Sequence, residues 1–200
     1  MKVLALELST TRGSLAWLDE GRVEASREWP NDRKNSGPFF ENLAEVVKKL
    51  GPPDTIIVGL GPGSYAGTRI AISAAIGLQA SSGARLIGFP SICALDSEAH
   101  EYFVIGDARR RSLFFAHIRA NNLIGPPTLF SEAELRSKLA NLESGTPVFT
   151  SDPLPQYERA VRGFPSAGVL ARVAQESQRS FSLPPLEPVY LREPHITLPK

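Results

Sequence analysis

The chain repeats itself. Val3, Leu4, Ala5 and Leu6 form an apolar run that ends in the acid Glu7, and after a short turn Ser14, Leu15, Ala16 and Trp17 begin a second run. Mid-chain, Phe103, Val104, Ile105 and Gly106 end in Asp107, and Ser112, Leu113, Phe114 and Phe115 follow a similar turn. Internal repetition limits the possible architectures before any other property does, because each copy is one supersecondary unit that must find its own packing partner. The unit here is a buried strand closing on a carboxylate, then a tight turn into a second strand. The expected architecture is two related subdomains, an N-terminal one over residues 1–100 and a shortened one with a C-terminal tail over 101–200, facing one another across a cleft.

The hydrophobic pattern fills in each copy. Residues 3–8, 14–18 and 23–28 read as strands, with Asp19, Glu20 and Gly21 as the turn of the last pair. Phe39, Phe40, Leu43, Val46, Val47 and Leu50 recur at helical spacing and stop at Gly51, Pro52 and Pro53. The β-branched run over 55–60 suits a strand buried on both faces. A helix is expected over 68–81, a strand over 85–88 and a helix over 91–99. The second copy opens with strands over 102–107 and 113–119 and a third near Leu123. A helix over 131–142 follows, opened by Ser131 and Glu134 at capping-box spacing. A strand over 148–150, a helix over 166–178 and an extended, proline-rich tail complete it.

Three strands, helix, strand, helix, strand is the ribonuclease H-like order. The fold class read from this is α/β, with duplicated ribonuclease H-like subdomains on the plan of the actin-like (ASKHA) group of sugar kinases and Hsp70 ATPases. The second subdomain is trimmed, since too little chain follows residue 150 for a full set of layers.

Composition removes several function classes. A formal net charge of +1 opposes a chain that alone grips a nucleic-acid backbone over a broad basic surface, so RNA contact is expected only through a partner. Cys93 is the single cysteine, which leaves no disulfide framework or thiolate metal cluster and fits a reducing, cytoplasmic setting. It sits in an apolar stretch and reads as a small buried residue. The N-terminal apolar run breaks at Glu7 without a cleavage pattern, and no run approaches the roughly 20 apolar residues of a membrane span.

The densest chemical signal is the segment from Gly61 to Arg69, with Gly61, Gly63 and Gly67 spaced G-x-G-x-x-x-G between a buried strand and a helix. It is neither a P-loop nor the dinucleotide fingerprint. Gly61, Gly63, Ser64, Gly67 and Arg69 admit two readings: a loop for an anion or nucleotide at a helix N-terminus, or a tight turn that only glycine permits. Glu7, Asp107 and Arg109 are candidate cleft residues. A carboxylate at the end of such a strand can hold a metal or orient a water, or simply accept turn amides such as those of Thr10 and Thr11. His100, His117 and His195 are scattered, none at the spacing that puts two imidazoles on one helix face. Ser9 and Ser64 have no partnering base in the sequence. No catalytic residue, metal ligand or cofactor is therefore assigned. Arg109, Arg110 and Arg111 fill the second turn opposite Arg12 and form a local basic patch.

The same segments carry a resemblance. Gly61-Pro62-Gly63-Ser64-Tyr65-Ala66-Gly67-Thr68-Arg69-Ile70 resembles the GPGSFTGxRI signature of the bacterial tRNA threonylcarbamoyladenosine biosynthesis family TsaB, also called YeaZ. Leu4 to Thr10 resembles that family's LAIDTST, Gly106 to Arg109 its DAR motif, and Pro188-Val189-Tyr190-Leu191-Arg192 its P-x-YLR. The four lie in the family's order and cover nearly the whole chain. Three departures stand out: Glu7 in place of aspartate, no histidine in the loop over residues 31–37, and a short tail. The resemblance implies a noncatalytic scaffold or activating subunit that pairs with a TsaD-like catalytic subunit and a TsaE-like ATPase. Their complex places threonylcarbamoyl on N6 of adenosine 37 in tRNAs reading ANN codons. ATP or ADP and metal then belong to the partner subunits. Two other classes stay open: a stand-alone ATP-dependent actin-like kinase or carbamoyltransferase, and a self-associating protein that binds partners in another pathway.

One helix bears on partners. Residues 68–81 are apolar all round, and a helix of that kind is covered all round. Ile70, Ala71, Ala74, Ala75 and Leu78 are the expected interface, homodimeric when the chain is alone and exchanged for the TsaD-like subunit in the complex.

Overall fold

The computed structural model describes residues 1–32, 35–143 and 145–192, so His195 and part of the loop over 31–37 lie outside the described residues. In the first half, β1 (Lys2–Glu7), β2 (Arg12–Asp19) and β3 (Arg22–Pro30) form an antiparallel meander. The hairpin closes at Glu20 and Gly21, whose φ angles of 46° and 81° match the right-handed twist of the strands they join. Helix α1 (Gly37–Leu50), strand β4 (Thr55–Gly59), helix α2 (Tyr65–Ser82) and strand β5 (Arg85–Phe89) follow. The five-stranded sheet has the order β3-β2-β1-β4-β5, with β4 and β5 parallel to β1.

The second half repeats the arrangement with β6 (Glu101–Asp107), β7 (Leu113–Arg119), β8 (Asn122–Leu123), β9 (Thr128–Phe130), helix α3 (Glu132–Ala140), β10 (Val148–Thr150), β11 (Ala160–Arg162) and helix α4 (Ala167–Val173). Its sheet runs β11-β10-β6-β7-β8, with β9 also on β7, and β10 and β11 parallel to β6. Two sheets of this order make the duplicated ribonuclease H-like, actin-like fold. The trimming is visible where a helix equivalent to α2 belongs: residues 151–159 contain only turns.

Local chemistry accounts for the differences from expectation. Helix α2 starts at Tyr65, ahead of the expected residue 68, because the Ser64 hydroxyl accepts from Gly67 N at 3.2 Å and caps it. The helix expected over 91–99 is one 3-10 turn, Ser91–Cys93. Beyond it Leu95 bridges Pro165, so tertiary pairing replaces helical hydrogen bonds. The helix expected over 166–178 ends at Val173, the third strand of the second copy is split into β8 and β9, and β11 has no counterpart in the expected elements. Ser131 and Glu134 form the expected capping box on α3.

Three cores hold the molecule. Leu4, Leu6, Trp17, Ile56 and Val58 pack beneath α1 and α2, while Ile105, Leu113 and Phe115 pack beneath α3 with Leu135 and Leu139. The third core is shared: Val3, Ala5, Ala16, Leu18, Ile57 and Ile87 on the back of the first sheet meet Val104, Phe114, Ala116 and Ile118 of the second and the whole apolar face of α4. Helix α4 thus belongs to the second half in sequence but covers the first sheet. Its N-terminus is fixed by Ala167 N donating to the buried Ser14 hydroxyl at 2.9 Å, beside Ser166 N donating to Ala94 O at 2.9 Å. The tail also returns, with Ser182 paired to Gly88, Leu186 buried under the helices and Val189 N donating to Leu60 O at 2.8 Å.

Candidate functional site

The parallel strands β1, β4, β6 and β10 all end at one edge of their sheets, and the chain that leaves them encloses a cleft of about 190 Å³. Open α/β sheets place ligands at this edge. Four segments line it: the turn after β1 (Ser9, Thr10, Thr11), the loop and first turn before and within α2 (Pro62, Gly63, Ser64, Tyr65, Thr68), the turn after β6 (Asp107, Ala108, Arg109) and the tail over 188–192. Ser151 and Asp152, after β10, complete the wall.

The glycines act as packing residues. A Cβ at Gly63 would collide with Ser9 O, and one at Gly67 with Leu8 O, so the loop and the start of α2 lie directly on the β1–β2 turn. Four amides of the segment are engaged within the protein: Gly61 N on the Ser91 hydroxyl at 2.9 Å, Ser64 N on Ser9 O at 2.6 Å, Gly67 N on the Ser64 hydroxyl and Thr68 N on Ser64 O. Of the two readings of this segment, the geometry favours the tight turn. Gly61, Gly67 and Arg69 do not line the cleft. Arg69 lies outside it, over the Tyr65 ring at 5.1 Å and on its hydroxyl at 2.7 Å.

Glu7 and Asp107, equivalent in the repeat, have opposite environments. Glu7 shares the inward face of β1 with Val3 and Ala5, is wholly buried and does not reach the cleft. Its Oε1 accepts Ser9 N at 2.6 Å, and its Oε2 lies against Gly59 with no hydrogen-bond partner among the described residues. Burial pushes its carboxyl above the usual range, partly countered by the hydroxyls of Ser9 and Ser91 and the Ser9 amide. Asp107 stands at the cleft and accepts from Arg109 N at 2.7 Å and from the Arg109 guanidinium at 3.0 Å, while its own amide donates to Asp152 at 2.8 Å. Arg109, Arg110 and Arg111 follow with φ of 63°, 52° and 59°, a left-handed backbone that costs a non-glycine residue about 1–2 kcal/mol.

The tail crosses the cleft. Tyr190 packs on Tyr65 at 5.9 Å between ring centres, and Arg192 donates to the Ser112 hydroxyl at 2.5 Å, so the strap spans both sheets. Sequence reasoning alone does not assign Asp152, Tyr65 or Tyr190 to the site. Asp152 carries one signal, an acid just past a parallel strand, and Tyr190 lies inside the P-x-YLR-like segment. A magnesium–nucleotide group, which the fold class implies, does not fit these residues: Glu7 is turned away, Asp107 is held by Arg109 and the strap lies across the opening. Among the described residues no group of three or more His, Cys, Asp or Glu is placed to hold a metal. His117 is elsewhere, on Glu101 at 2.6 Å.

The expected interface on α2 needs correction. Ala71 and Ala75 are fully buried against the sheet and face no partner. Ile70, Ala74 and Leu78 are partly exposed and pack on the same core as Val47 and Leu50 of α1. The open side is Ala66, Arg69, Ser73, Ile76, Gly77 and Ala80.

No protein-family model matches the chain. An uncharacterised Pseudomonas aeruginosa protein described as similar to the peptidase YeaZ has the same fold, with a TM-score of 0.76 and 22% identity over 96% of this chain and 99% of its own. YeaZ from Pseudomonas aeruginosa has a TM-score of 0.68 and 22% identity over 87% of this chain and 91% of its own. An uncharacterised protein of Mycobacterium tuberculosis is 27% identical over 177 residues, 88% of this chain and 78% of its own length. One of Mycobacterium leprae is 29% identical over 158 residues, 76% of this chain and 42% of its own. This chain has the fold of the YeaZ structures.

Proposed function

We propose that the chain is a TsaB (YeaZ) protein, the noncatalytic scaffold and activating subunit of a cytoplasmic complex that forms threonylcarbamoyladenosine at position 37 of tRNAs reading ANN codons. The observation that carries this reading is the meeting of all four resembling segments at one cleft: Ser9 and Thr10, Pro62 to Tyr65 with Thr68, Asp107 to Arg109, and Pro188 to Arg192 line it together. The noncatalytic role is supported by how that cleft is built. Its glycines serve backbone packing, its buried acid is withheld and its opening is strapped, and among the described residues no histidine lines it to serve a serine as base. The peptidase reading in a neighbour's description finds no support here, since among the described residues no histidine lines the cleft with Ser9 or Ser64.

Pairing with a TsaD-like subunit, and with a second copy of this chain when alone, is assigned to the open side of α2 with its partly exposed Ile70, Ala74 and Leu78. Small residues there allow a partner backbone to approach closely, and Ile76, 49% exposed, supplies an apolar anchor. The test is a pull-down of a TsaD-like subunit with wild-type chain and Ala74→Arg. Wild type is expected to bind, and the variant to lose association by about tenfold or more through a buried unpaired charge. With threonine, bicarbonate and ATP but no partner, the chain is expected to leave tRNA unmodified. Modification by the chain alone, or a wild type that ignores the TsaD-like subunit, refutes the assignment.

A further inference from the structure

The cleft mouth carries a feature that neither the scaffold role nor the fold requires. Three successive arginines hold left-handed backbone, at φ 63°, 52° and 59°, where glycine or asparagine is at ease. A backbone outlier held by its surroundings points to use. The surroundings are specific: Arg109 is clamped to Asp107 through both its amide and its guanidinium, and Ser112 N closes the turn on Arg109 O at 3.1 Å. Arg110 and Arg111 are thereby projected into solvent, exposed and without a hydrogen bond or ion pair among the described residues. Lining the same cleft as Arg109 are two tyrosines at unusual exposure, Tyr65 at 56% and Tyr190 at 42%, packed on one another with the Arg69 guanidinium over the Tyr65 ring.

We propose that this mouth is a contact surface for single-stranded RNA, with Arg110 and Arg111 on backbone phosphates and the Tyr65–Tyr190 pair as a platform for an unstacked base. Planar guanidinium groups match phosphate geometry, and an exposed aromatic pair lining the cleft that Arg109 also lines, one residue before them in the chain, supplies the sequence-tolerant stacking that single strands use. An acidic protein would use the arginines but has no call on the aromatic platform, which is why RNA is the better match. The net charge of +1 keeps the surface local and its affinity low, as suits one contact among several in an assembly. Taking the RNA to be tRNA rests on the reading above; the surface itself is tested without any partner protein, so either can fail alone.

The experiment is fluorescence anisotropy of a labelled single-stranded RNA oligonucleotide at 50 and 200 mM salt, with wild type, the Arg110→Gly/Arg111→Gly double variant and Tyr190→Ala. Each phosphate contact on a single strand contributes about 0.7 to the slope of log affinity against log salt. Losing two contacts lowers the slope by about 1.4, so between these salts wild-type affinity falls about sevenfold more than the variant's. Tyr190→Ala weakens binding with the slope unchanged. Glycine suits the left-handed positions, so the thermal midpoint of the double variant is expected to hold or rise, which separates lost contact from lost fold. Equal slopes for wild type and double variant, no binding at 50 mM salt, or an Arg110- and Arg111-dependent preference for a polyglutamate peptide would each overturn the proposal.

Discussion

Replacing Glu7 by Gln keeps the shape of the side chain and removes its ionisation, which makes it the sharpest probe of this fold's interior. In the folded chain the carboxyl is fully buried, takes one amide hydrogen bond and meets no cation among the described residues, so burial raises its pKa. The sign follows from proton counting. Above the unfolded pKa of about 4.3 the folded state holds a proton that the unfolded state has released, so stability is full below that pH and declines as pH rises toward the folded pKa. The slope is about 1.4 kcal/mol per pH unit while the difference lasts. For a chain of this length that is roughly 3–6 °C of thermal midpoint per unit. Calorimetry or circular dichroism melts from pH 5 upward are the assay, with wild type and Glu7→Gln side by side. Wild type should lose midpoint relative to the variant over this range, and the variant should gain most at the highest pH. Parallel curves would mean that Glu7 ionises normally in the folded chain, and the reading of a withheld, neutral acid would be wrong.

Glu101 gives the opposite pH dependence. It is half-buried on β6 and sits between the Arg119 guanidinium and His117, which hold its carboxyl down at about 2; its contribution is present above the usual carboxylate range and lost as pH falls through about 2, so Glu101→Gln should flatten the acid limb of the melting curve while leaving the alkaline limb unchanged. Gly59→Ala puts a methyl group into Glu7 Oε2 and the Ser91 hydroxyl and should cost about 1–3 kcal/mol. Combined with Glu7→Ala, most of that penalty should vanish in a double-mutant cycle of chemical denaturation, and strictly additive costs would show that the two residues do not compete for space.

The strands were legible because their patterns are local. The apolar run of β1, the β-branched run of β4 and the capping box of α3 are each readable within a few residues. Duplication then supplied the order of both sheets. What escaped depended on which side of an element faces what. Ala71, Ala74 and Ala75 are the same residue on a helix that is apolar all round, so nothing in their chemistry separates the two that are fully buried from the one that is half-buried at the edge of the core. Glu7 has the parity of Val3 and Ala5 on β1, but Leu4 and Leu6 make the other face equally apolar, so burial of Glu7 is readable while the core it enters is not. The start of the second-copy helix α4 was readable, but its destination was not, because a segment whose apolar face fits either sheet carries no local record of which one it covers. The strap was hidden for a related reason, since extended chain without periodicity shows neither its partners nor its path.

The placement of α4 has a consequence for how the chain comes off the ribosome. By the time Phe89 has emerged, every strand of the first sheet exists and α1 and α2 can seal one side. The other side, with Val3, Ala5, Ala16, Leu18, Ile57 and Ile87, is only partly met by β6 and β7 and stays incomplete until synthesis reaches Val173, roughly 4–17 s after Phe89 at elongation rates of about 5–20 residues per second. For that interval the nascent N-terminal half presents an apolar wall beside growing polypeptide. Completion of the first lobe thus waits on a helix that follows the second sheet in the chain, so the first half does not mature independently of the second.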